Sequence, residues 1–197
     1  MGSARSIWAR VVFAALLAFT WWLDQGAPGR TTSDGSGGVD GAGASLRMVE
    51  VADEVGLGFQ HVRPVFDTRI DNIAPQIAAL GAAVSVTDAD GDGRPDLYVT
   101  NSAFGEDNAL FVNRTVDGVG AFEELAAEAG VAALNVPGRG VSMGSVWADM
   151  DNDGDEDLFV YRYGYPALFR NDGSLRFTDV TADSGLERWM NANAAVW

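Results

Sequence analysis

From Asp88 the chain reads Asp-Ala-Asp-Gly-Asp-Gly-Arg-Pro-Asp, and from Asp149 it reads Asp-Met-Asp-Asn-Asp-Gly-Asp-Glu-Asp. Asp88, Asp90, Asp92 and Asp96 stand at positions 1, 3, 5 and 9 of the first stretch, with Gly93 at position 6. Asp149, Asp151, Asp153 and Asp157 repeat those places, with Gly154 at position 6. Two like charges ~4 Å apart repel by roughly 4 kcal/mol at an effective dielectric of about 20. A hard cation reverses that balance, and an all-oxygen donor set turned at a glycine suits Ca²⁺. One such stretch could be a solvated acidic turn. Two complete copies, each running into an apolar Leu-x-Val segment, point to a pair of metal loops.

The elements that must hold these loops follow from the flanking pattern. Leu97–Thr100 and Leu158–Tyr161 are short and β-rich, and predict the strands that leave the loops. Ala82–Val86 and Ser142–Trp147 predict the strands that enter them, their small residues suiting tight packing near an axis. Leu168–Asn171 and Leu175–Phe177, joined through Asp172-Gly173, read as a hairpin. An EF-hand or dockerin loop opens with the same acidic spacing, but needs a bidentate Glu at position 12 and flanking helices. Position 12 is Val99 in one loop and Val160 in the other, both inside strand patterns.

The chain repeats itself beyond the loops. Met48–Leu57 aligns with Phe122–Val131 and with Phe177–Leu186; Ala109–Asn113 aligns with Ala167–Asn171. The second acidic loop begins 61 residues after the first. A long fixed period means stacked supersecondary units. Each unit is an acidic loop, a strand, a second strand, a turn, a third strand and an Ala/Glu-rich turn ending in Gly.

This unit, Asp-x-Asp-x-Asp-Gly-x-x-Asp-Leu-x-Val, then Leu-Phe-x-Asn, then Phe-x-Asp-Val-Thr and Gly-Leu, resembles the FG-GAP/VCBS repeat. That repeat forms β-propeller blades, as in integrin α-subunit heads. The opening Val51–His61 is also similar to the cartilage-acidic-protein and ASPIC/UnbV-associated group. The resemblance covers residues 47–197 and implies an all-β fold, a partial β-propeller. It implies Ca²⁺ held by Asp88, Asp90, Asp92, the Arg94 carbonyl and Asp96, and by Asp149, Asp151, Asp153, the Asp155 carbonyl and Asp157. The departure from the family is in number: two loops and parts of a third unit, where its propellers have several blades.

The remaining sequence bounds function. A net charge of −15 argues against nucleic acid, which needs a basic face. Without cysteine there are no disulfides, zinc-thiolate sites or cysteine nucleophiles. His61 is the one histidine, and no Ser or Thr has an adjacent base. Asn113-Arg-Thr115 is a glycosylation sequon, but Asn113 also fills the repeat's Asn position, mirrored by Asn171, which favours a turn role. Trp147 and Trp197 fall at equivalent positions and are expected in the core. Tyr161, Tyr163 and Tyr165 suit either an exposed contact patch or packing between blades.

Residues 1–25 read as an export segment. Arg5 and Arg10 precede a 13-residue run, Val11 to Leu23, broken only by Thr20. That length fits a cleaved signal peptide, and extension back to Ile7 would just span as an uncleaved helical anchor. Residues 26–45 are Gly/Ser-rich with almost no large apolar side chain, a flexible, disordered linker. The repeats then occupy 46–197, ending in Val196-Trp197, which repeats Val146-Trp147 and leads toward the start of a third loop. The expectation is an N-terminal piece of a longer, exported repeat protein. It would bind or adhere to a protein or glycan outside the cell, touching membrane only through its N-terminal segment. The other reading is a non-catalytic propeller part of a secreted carbohydrate-active enzyme.

Overall fold

A computed structural model describes residues 47–73, 75–76 and 81–197. The expected N-terminal helix and the linker lie outside the described residues. Among the described residues no helix is long and apolar enough to cross a membrane. Helix there is confined to short turns, such as the 3₁₀ turn Thr68–Ile70 capped by Asp67.

Two antiparallel sheets carry the fold. The first contains β1 (Val84–Thr87), β2 (Asp96–Val99), β3 (Ala109–Asn113) and β4 (Phe122–Glu124), in that spatial order. The second repeats the meander with β5 (Gly140–Ala148), β6 (Asp157–Gly164), β7 (Ala167–Asn171) and β8 (Phe177–Asp179). A short β9 (Met190–Asn191) pairs with the far end of β6. The acidic loops are the β1–β2 and β5–β6 connections. Register places Thr87 opposite Asp96 and Ala148 opposite Asp157, so each loop closes on an aspartate that opens the next strand.

The strands that sequence predicts are all present, with shifted limits. β6 runs three residues past Tyr161, and β5 is nine residues long with a bulge between Ser142 and Gly144. At the end of this long pair Gly140 faces Gly164, with φ of 128° and 139°. A Cβ on Gly140 would lie 2.8 Å from the Gly164 Cα, so only glycine lets the two backbones approach there. Two expectations are corrected. Leu175 belongs to the turn and has a φ of 59°; the strand begins at Phe177. Met48–Glu50 aligns with β4 and β8 but forms no strand and is exposed.

The core lies between the sheets. Tyr98, Leu110 and Val112 meet Leu158, Val160 and Phe169, with Ala126, Ala129 and Val131 from the turn after β4. The alternation along β6 sends Leu158, Val160 and Arg162 inward. Trp147 packs edge-on against Tyr98 and Phe177, both at 5.9 Å, and its indole N–H donates to Ser85 Oγ at 2.9 Å. Trp197 departs from its expected core role: it is 55% exposed beside Val146 and Phe159, on a sheet face with no described layer over it. Tyr163 is enclosed between Phe66 and Trp189, while Tyr165 lies under the Arg139 guanidinium at 5.3 Å. Both therefore pack against neighbouring segments of the chain.

The contrast between Leu158 and Trp197 is measurable by denaturant unfolding. Leu158→Ala empties a fully buried position and is expected to cost about 2–5 kcal/mol. Trp197→Ala is expected to change stability by less than about 0.5 kcal/mol, as at other surface sites.

Candidate metal centres

In each acidic loop the aspartates at positions 1, 3 and 5 turn inward. Donor oxygens of Asp88, Asp90 and Asp92 all lie within 4.8 Å of one another, as do those of Asp149, Asp151 and Asp153. The backbone explains the convergence. Asp88 accepts from the Asp92 and Gly93 N–H groups, at 3.0 and 2.8 Å, and Asp92 Oδ1 accepts from the Arg94 N–H at 2.9 Å. Asp149 accepts from Asp153 and Gly154 at 3.1 and 3.0 Å, and Asp153 Oδ1 accepts from the Asp155 N–H at 3.0 Å. Gly93 and Gly154, with φ of 85° and 100°, make the turn possible. Hydrogen bonds to charged acceptors hold the loops in shape, yet leave like charges close together.

The fourth predicted aspartate of each loop stands outside its triad. Asp96 is fully buried; Oδ2 accepts from the Ala89 N–H at 2.9 Å and Oδ1 from the Asn113 N–H at 2.7 Å. Asp157 repeats this with Met150 and Asn171, both at 2.8 Å. Burial pushes both carboxyls above the usual aspartate range, against the pull of those N–H donors, and the neighbouring loop carboxylates push the same way. A cation in the loop would oppose that push.

These sheets are matched in sequence as well as shape. The pattern of the FG-GAP-like repeat fits residues 88–160, from the first residue of the first loop into β6. That segment is similar to the FG-GAP-like repeat. Over 126 residues, 59% of its length, the chain is 32% identical to Cartilage acidic protein 1 of Mus musculus, and equally to the Homo sapiens protein of that name. The chain spans about a fifth of those relatives, 19% and 18% of their lengths.

Within these two sheets the repeated Asn is a joint. Asn113 donates to the Pro95 carbonyl at 3.0 Å, and its Oδ1 accepts from the Thr115 N–H at 3.0 Å. Asn171 donates to the Glu156 carbonyl at 3.3 Å and accepts from the Gly173 N–H at 3.1 Å. It also reaches across the sheets to the Ala89 carbonyl at 3.0 Å, which binds the first loop to the second blade. Both asparagines are buried, and the N–H each accepts from two residues on is the bond of an Asx turn.

The loops differ in what sequence spacing did not expose, their counter-ions. Arg114 donates to Asp90 Oδ2 at 2.6 Å and to Glu123 at 3.2 Å. Arg94 folds back onto Asp92 and donates from Nε to the Asn113 carbonyl at 3.0 Å. The corresponding residues of the second loop are Asp172, after Asn171, and Asp155. Arg114 was recognisable only as the residue after the repeat's Asn. Asp90 Oδ1 remains buried with no hydrogen-bond partner.

The divided roles predict divided effects in calcium-free buffer. Asp157→Ala leaves two buried N–H donors unpaired and is expected to cost about 2–5 kcal/mol in urea unfolding. Asp151→Ala removes an exposed carboxylate and is expected to be neutral or slightly stabilising there, by up to about 1 kcal/mol, through relief of repulsion.

Proposed function

We propose that this chain carries calcium-stabilised blades that work outside the cytoplasm as a binding or adhesion module, with the metal in a structural part. One observation carries the reading: two carboxylate triads occupy matched places in two sheets, and Asp90 Oδ1 lies in the first as a buried oxygen without a donor. Buried oxygens are rarely left unsatisfied. A hard divalent cation suits such all-oxygen sets, and neutralises their repulsion when bound. Asp88, Asp90 and Asp92, then Asp149, Asp151 and Asp153, would hold it, with the Arg94 and Asp155 carbonyls and with Asp96 and Asp157 completing or backing the sets.

Placement outside the cytoplasm rests on the apolar N-terminal run behind Arg5 and Arg10, and on the weak affinity typical of extracellular modules, Kd on the order of 10⁻⁴–10⁻³ M. The partner would be a protein or glycan. His61, the one histidine, has its Nε2 3.1 Å from Ser102 Oγ, but that hydroxyl is fully buried and donates to the Ser142 carbonyl at 2.9 Å, which supports a structural pair and a non-catalytic role.

Two measurements test this. Calcium at ten times Kd is expected to contribute roughly 1.4 kcal/mol per site, seen as a rise in Tm that EDTA reverses. An unchanged melting curve would exclude the metal. The loops are also expected to fill unequally in calorimetric titration. Arg94 and Arg114 already neutralise carboxylates of the first loop, whereas the second has Asp155 and an Asp172 that occupies Arg170 at the matching places. The second loop is therefore the tighter site, and Arg114→Gln is expected to strengthen the first by roughly three- to tenfold.

A further inference from the structure

Arg162 is the least accommodated group of the described residues. It points from β6 toward the first sheet, is only 4% exposed, and its Nε has no hydrogen-bond partner. Among the described residues no carboxylate comes within the 4.0 Å of an ion pair with it. Burial, with the Arg139 charge nearby, pulls its pKa down to about 10, so it is still charged at neutral pH. A buried charge is costly unless it is paired and hydrogen-bonded.

The guanidinium lines a pocket of about 160 Å³ between the 133–139 segment and strands β6, β7 and β8. Leu134, Val136, Phe169 and two alanines form its apolar wall. The other charged groups there are engaged. Arg139 pairs with Glu187 at 2.6 Å and covers the Tyr165 ring. Asp179 Oδ1 accepts from the Thr181 N–H and hydroxyl, at 2.9 and 2.5 Å. Asp179 lines the pocket but makes no ion pair with Arg162, so the planar guanidinium fork is left without the two acceptor oxygens that complement it. Phosphate suits it less well: Asp179 repels a dianion more strongly than a monoanion, and the apolar wall has no donor for the further oxygens.

We propose that this pocket binds a small monocarboxylate, its carboxylate on the Arg162 guanidinium and its short apolar stem against Leu134, Val136 and Phe169. The site is separate from the acidic loops and does not depend on calcium as a ligand.

The test is a titration of the full chain, with ¹⁵N-labelled arginine and calcium present, using sodium butyrate, neutral butyramide and inorganic phosphate. Arg162→Met, which keeps an unbranched stem and removes the charge, identifies the Arg162 Nε–H signal. Butyrate is expected to shift that signal, with a Kd on the order of 1 mM for so small a ligand. Butyramide and phosphate are expected to bind at least about tenfold more weakly, and Arg162→Met to lose butyrate binding by calorimetry. An Nε–H signal unmoved by butyrate would overturn the proposal, as would equal binding of butyrate and butyramide. A signal already protected from exchange before titration, and unmoved by it, would show a water-bridged pair with Asp179 instead.

Discussion

Two buried aspartates, one per sheet, hold the turns of this structure to its strands. Asp96 and Asp157 each take one N–H from the start of their own loop and one from the end of the third strand. A neutral side chain could not satisfy both donors so well, and an apolar one would leave two amides orphaned. The geometry of each acidic loop descends from this clamp. It fixes where the loop begins and ends, and the remaining aspartates have only a few residues in which to turn inward.

The same arrangement explains why acidic residues can be both necessary and harmful here. The clamping carboxylates lie in the interior, where their charge is penalised, beside triads that penalise it further. In the first blade Arg94 and Arg114 relieve part of that repulsion from within the protein. In the second, Arg170 is occupied by Asp172 at 2.7 Å, and the loop keeps its charge. Two copies of one motif have thus reached different electrostatic states through changes at two neighbouring positions.

Much of this was readable in advance, and the exceptions share a cause. The loops, their paired strands and the buried asparagines were legible because local spacing determines them: the strand period, the glycine turn, the repeated Leu-Phe-x-Asn. The division of labour between Asp96 and Asp92 was not, since both are aspartates at regular spacing and only burial separates them. The Arg114 contact was hidden because it joins residues 24 apart. Met48–Glu50 aligns with two strands and forms none, since residue pattern alone does not supply a pairing partner. Arg162 lies beyond the Leu158–Tyr161 segment that the residue pattern marks as strand, and only the longer β6 turns it inward.

The contact between the sheets is not purely apolar. Ser85 meets Ser145 at 2.6 Å, Thr87 bonds Glu156, Asn171 bonds Ala89, and Ser102 reaches the Ser142 carbonyl at 2.9 Å. Oily faces of similar shape can slide past one another at small cost, whereas directional bonds at both ends of an interface permit one setting. The seam therefore acts as an angular key. It sets the rotation from one sheet to the next, and in a radial array small errors in that rotation would accumulate with every added sheet.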